Sequence, residues 1–229
     1  MKHCIFVFLA AAQIFCAACS TVQPARERIQ VNQRGLEIGA GSADAQFDKV
    51  FGVGPLEKRD VAVSYFPADD VVCLRFRVDL VGYRQYWDQA NRAAFIEALD
   101  RYKEDYDQKN LPAKGSRGKR QYGTIRGLLI WETHRFSHLN YSYPKLELGY
   151  YFKNRSPYFT VTQREAPNEE PASKQGNPRS RNIVMYLTRA QADSIAALFA
   201  QDYLLNLRPG IPESDSSVPE ADAYVEAAW

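Results

Sequence analysis

Apolar and polar positions alternate through most of the middle of this chain. In "VVCLRFRVDL" (71–80), Val72, Leu74, Phe76, Val78 and Leu80 fall on one side, while Cys73, Arg75, Arg77 and Asp79 fall on the other. This period of two is the signature of a half-buried antiparallel strand. "VAVSYF" (61–66) precedes it across the turn-forming "PADD", and the same pattern predicts strands at 124–136, 145–153, 158–164 and 182–187. "NRSP" supplies a hairpin turn between two of these. The period becomes helical twice. From about 86 to 108, Phe95, Ala98, Leu99, Tyr102 and Tyr106 form one stripe with charges opposite. A second helix opens at Thr188, where Gln191 stands three residues after a capping hydroxyl; it buries Ala192, Ile195 and Phe199 and ends before Pro209. The resulting order, ββαββββα, predicts an α+β fold: two layers, an antiparallel sheet with two helices packed on one face.

The ends of the chain have a different character. Residues 1–18 carry a positive head, a short apolar run and small residues, which is the build of a secretory signal. The run is too short to span a bilayer, which takes roughly 20 apolar residues. "Cys16-Ala17-Ala18-Cys19" resembles a bacterial lipobox, and the cysteine at the position of Leu makes it similar to the relaxed boxes of spirochaetal lipoproteins. The resemblance covers only the first twenty residues. It implies that Cys19 is acylated and anchors the protein to a lipid bilayer, each buried CH2 contributing about 0.8 kcal/mol. Residues 19–40 then read as a lipidated tether, with a small hairpin around Gly35 at the domain entrance, 41–211 as a single domain, and 212–229 as a disordered acidic tail.

Cysteine usage fits export. Of four cysteines, Cys4 and Cys16 leave with the signal and Cys19 takes lipid, so Cys73 has no internal disulfide partner. Its place in a strand makes it a small structural side chain rather than a nucleophile. A chain of 229 residues, 45% hydrophobic, is large enough for an ordinary core, and a net charge of +2 indicates no dominant electrostatic partner.

Candidate chemistry is sparse. In "WETHRFSH" an extended chain puts Glu132, His134 and His138 on one face, a donor set adequate for a divalent metal. Same-face strand residues step about 7 Å apart, however, and the zinc-hydrolase motif needs its histidines on a helix. A polar outer face is therefore the expectation, with no metal and no cofactor. No nucleophile elbow or phosphate-cradling glycine loop is present.

The basic loop 110–123 carries Lys114, Arg117, Lys119 and Arg120, and loop 165–181 is Pro-rich and polar. Strands followed by a helix are topologically similar to the PUR and Whirly single-strand-binding domains, without a shared motif. Export with a lipid argues against nucleic acid, and the basic loop suits anionic headgroups or an envelope protein. The strands also carry many aromatics, and alternation sends either Tyr150 and Phe152 or Tyr151 to the face away from the helices. That outer face is expected either to be open for recognition or to be covered by the N-terminal segment. The function these patterns predict is a non-catalytic binding or assembly module anchored in the bacterial envelope. The alternatives are a carrier or sensor of a small apolar ligand held between sheet and helices, and a metal-assisted hydrolase built on Glu132, His134 and His138.

Overall fold

The computed structural model describes residues 29, 31–32, 35–48, 55–111, 121–133, 136–169 and 179–207, with the backbone alone for 133 and 136–139. The strands are β1 (Ile38–Phe47), β2 (Glu57–Phe66), β3 (Val71–Val78) and β4 (Val81–Trp87). Helix α1 (Gln89–Asp107) follows, then β5 (Gln121–Arg126), β6 (Leu128–Thr133), β7 (Phe136–Ser142), β8 (Lys145–Lys153), β9 (Ser156–Gln163) and β10 (Ile183–Leu187). The described chain ends with α2 (Arg189–Phe199) and α3 (Gln201–Asn206).

All ten strands join one antiparallel sheet in the order β5-β8-β9-β10-β1-β2-β3-β4-β6-β7. This sheet is curled into a half-barrel, which corrects the expected two-layer fold with two helices on one face. In a flat sheet β4 and β9, five positions apart in that order, would be about 24 Å from each other. Here the Gln85 amide of β4 donates to Gln163 Oε1 of β9 at 2.7 Å, both side chains being buried. Each strand pairing adds about 20° of twist, and the bulges at Gly39/Gly41, Gln121/Gly123 and Trp131/Thr133 sharpen it.

The ends of the sheet are drawn together by one bent hairpin. Ile125↔Leu146 and Arg126↔Lys145 in β5–β8 continue in the same register as Leu129↔Ser142 and Ile130↔Tyr141 in β6–β7. Gly127 marks the bend. A Cβ there would lie 3.0 Å from the Tyr86 carbonyl oxygen and 3.4 Å from Leu146 Cδ1, so the close approach requires glycine. The stretch 124–136, expected as one strand, is thus two that pair with different neighbours and then reverse between Thr133 and Phe136.

The helices fill the concave side. Asp88 caps α1, its Oδ1 accepting from Asn91 N at 2.7 Å, and Phe95, Ala98, Leu99 and Tyr102 are buried as the stripe predicts. Tyr86, expected in that helix, belongs to β4 instead. The Thr188–Gln191 capping box opens α2, which buries Ala192, Ile195 and Phe199. Trp87, Phe95, Phe159 and Phe199 meet at ring separations of 5.2–5.9 Å and occupy the space between sheet and helices. A buried guanidinium ties the helices to the β2–β3 turn: Arg92 bonds Asp70 O at 2.7 Å, Asp70 Oδ1 at 3.0 Å and Gln201 Oε1 at 2.7 Å.

Candidate functional site

The convex face is divided. Over β2, β3, β4 and β6, alternation turns a second apolar set outward (Phe66, Val71, Cys73, Tyr86, Leu128 and Ile130), and Ile29 and Val31 cover it. Tyr143 Oη donates to Ile29 O at 3.3 Å, and Asn32 N donates to Asp69 Oδ2 at 2.9 Å, which pins that segment. Cys73 is wholly buried there, and burial pushes its thiol up to about 12, countered only in part by Arg84 and by a hydrogen bond with Tyr86. It is a structural side chain, as its strand position predicts.

Over β5, β8, β9 and β10 the outer face holds a groove of about 450 Å³. Its shape follows from pairing. On β8, Leu146, Leu148 and Tyr150 enter the core, so Glu147, Gly149 and Tyr151 face outward. The cross-strand rows are Glu147↔Thr162↔Val184, Gly149↔Thr160↔Tyr186 and Tyr151↔Tyr158. Small residues in the middle of these rows leave the hollow, and tyrosines wall it at one end.

That wall is built rigidly. Tyr186 is 4% exposed, and the Tyr151 and Tyr158 rings each meet it near-perpendicularly at 6.1 Å. Its phenol donates to Asp48 Oδ2 at 2.7 Å, while Lys153 Nζ bonds Asp48 Oδ1 at 2.5 Å. Burial first, then the bond to Asp48 and its negative charge, hold the Tyr186 hydroxyl well above the ordinary tyrosine range, so it stays protonated at neutral pH. At the other end Arg164 Nη2 bonds Glu147 Oε2 at 2.5 Å and Nη1 bonds Asn182 Oδ1 at 3.2 Å. Both carboxylates are thus neutralised by a bonded cation. The groove offers ring faces, hydroxyls and a planar ion pair, groups suited to stacking and hydrogen bonding.

Of the residues the sequence points to, Tyr151 stands on the groove wall, 45% exposed. Glu132 lies on β6, exposed, with Arg84 Nη2 at 3.4 Å from its Oε1. Glu132 and His138 lie on two antiparallel strands, β6 and β7, rather than on the one extended strand expected. Among the described residues no group of three or more His, Cys, Asp or Glu side chains comes together. His134, Cys19, Lys114, Arg117, Lys119 and Arg120 lie outside the described residues, as does the side chain of His138. Sequence reasoning passed over Arg164, Thr160, Thr162 and Tyr186. The alternation in "YFTVTQR" was the available signal, since it puts Thr160, Thr162 and Arg164 on one side.

Residues 32–206 match the family model described as "Uncharacterised Treponema protein", and the chain belongs to that family. It is also similar to a protein of Treponema pallidum (strain Nichols) described as "Uncharacterized protein", with 24% identity over 155 residues. That match covers 65% of this chain and 56% of the relative, so the chain spans little more than half of the relative's length. The spirochaetal resemblance of residues 16–19 is consistent with both. No solved structure matches.

Proposed function

We propose that this member of the Treponema family is a lipoprotein of the cell envelope, held at a membrane by acylated Cys19, whose domain binds an envelope component in the outer-face groove without turning it over. The observation that carries the reading is the groove itself: a preorganised tyrosine wall beside an ion pair whose charges cancel. Rigid rings and satisfied polar groups lose little entropy on binding, so a shallow site still recognises a partner. Confinement by the lipid raises the effective concentration further. The volume falls within the range of about 300–1,000 Å³ usual for small-ligand sites. The rings packed between sheet and helices support an outside site over an interior one.

A photoreactive residue replacing Thr162 in cells tests this directly. A discrete adduct is expected at Thr162 and not at Leu80, which is exposed on the β3–β4 turn. The Cys19→Ala variant should leave the membrane fraction, or stay as uncleaved precursor, and lose the adduct. Crosslinks to lipid alone, or none at all, would overturn the binding role.

A further inference from the structure

We infer that the groove takes a neutral saccharide chain, an inference that rests on the binding role proposed above and names its ligand class. The first argument is backbone accounting. β8 is paired on both sides, by β5 and β9; β9 is paired by β8 and β10; β10 is paired by β9 and β1. β8, β9 and β10 therefore offer no free edge to an extended peptide, and β5, which ends the strand order with β8 as its partner, has its Tyr122 and Arg126 carbonyls taken by Arg101 and Asn91 of α1, so recognition runs through side chains.

The second argument is charge. Among the described residues, Glu147 and Arg164 are the charged side chains lining the groove, and they bond each other at 2.5 Å. At the tyrosine end Asp48 and Lys153 do the same at 2.5 Å. Lys145, at the Glu147 end, is half-exposed and lies 3.9 Å from that carboxylate. An ionic ligand would have to displace a bonded partner and desolvate its own charge, which costs more than it returns.

The third argument is polarity. Among the described residues, Val184 is the one aliphatic side chain that the pairing turns into this groove, because Leu148 and Tyr150 point into the core. An acyl chain needs apolar walls on several sides, and this groove does not provide them. A pyranose ring fits what is there. Its C–H face packs on an aromatic face such as Tyr151, and its hydroxyl rim exchanges hydrogen bonds with Thr160, Thr162 and Gln121. The planar carboxylate and guanidinium of Glu147 and Arg164 suit vicinal hydroxyls, two bonds at a time.

The test is titration of the purified full-length protein with two neutral tetrasaccharides, chitotetraose and cellotetraose, followed by calorimetry or by NMR. At least one should saturate with a Kd of about 1 mM or tighter. That affinity should not change with added salt, because no net charge is transferred. Tyr151→Ala should weaken it at least about fivefold. Thr162→Trp, which fills the hollow without touching the tyrosine wall, should abolish binding while the melting temperature stays near that of the wild type. Failure of both sugars to bind, or binding unaffected by both variants, overturns the inference. A protein adduct from the Thr162 crosslinker without tetrasaccharide binding overturns the saccharide and leaves the binding role standing. Neither adduct nor binding overturns both.

Discussion

At the scale of single residues, this fold is held by polar side chains that lie where the chain pattern expects apolar ones. Arg92 lies on the buried side of α1, 1% exposed, next to Asn91, which is buried with it. Its guanidinium joins the β2–β3 turn, the end of β4 and α3 through Asp70, the Trp87 carbonyl and Gln201. Asp70 adopts a left-handed φ of 49° to reach it, and Tyr65 Oη donates to the same carboxylate at 2.9 Å. Removing one member of a buried charge pair strands the other. Arg92→Ala is therefore expected to lower unfolding stability by about 3 kcal/mol in urea titration, and Asp70→Asn by less, because the asparagine still accepts from Tyr65 and from the guanidinium. Equal losses from both would mean that charge, not geometry, carries the clasp. Nothing in the spacing of Arg92 distinguishes it from the exposed arginines nearby. Its burial follows from where α3 and the turn arrive, and both come from distant parts of the chain.

At the scale of elements, sequence pattern and structure agree wherever an element has its own local signal. The Thr188–Gln191 capping box and the Phe95–Tyr102 stripe are local, and both helices form where those signals stand. β1, β4 and β7 are not expected as strands from the pattern, and the other disagreements occur at junctions. β4 runs into α1 with a single residue, Asp88, between Trp87 and Gln89, and an apolar Tyr86–Trp87 reads equally well as the first turn of a helix. β5 and β6 are separated only by Gly127, so their alternation is continuous although their neighbours change from β8 to β4. Gly127→Val tests how much of the bend that glycine carries. A Cβ at 3.0 Å from the Tyr86 carbonyl forces that carbonyl or the hairpin to move, and a loss of about 2 kcal/mol is expected from thermal or urea unfolding. Gly123→Val, on the same strand with its nearest atom at 3.9 Å, should cost clearly less, and a comparable loss at both positions would refute the bend as the cause.

At the scale of the whole molecule, the curl is what makes both the core and the groove. It brings β4 opposite β9, where Gln85 and Gln163 share a hydrogen bond inside the barrel and Gln163 Nε2 donates to Arg181 O at 3.0 Å. Gln85→Leu or Gln163→Leu alone orphans a buried amide and should cost about 1–3 kcal/mol. The double substitution should recover part of that loss, since no amide is then left facing an apolar partner and the Arg181 carbonyl alone loses its donor. Additive losses in the double-mutant cycle would show that the contact across the barrel does no bonding. The same curl divides the outer face into a half sealed by Ile29 and Val31 and a half left as the groove. By itself the sequence determined the strands β2, β3, β8, β9 and β10, the two principal helices with their buried stripes and the opposite faces of Tyr150 and Tyr151, because each depends on period, caps or alternation within a few residues. Only the tertiary structure decided that ten strands curl into a half-barrel, that Arg92 and Gln163 are buried, and that Glu147, Thr162, Arg164 and Tyr186 meet in one groove. Those outcomes depend on pairing between strands far apart in the chain, and accumulated twist and register over nine pairings cannot be read from any one segment.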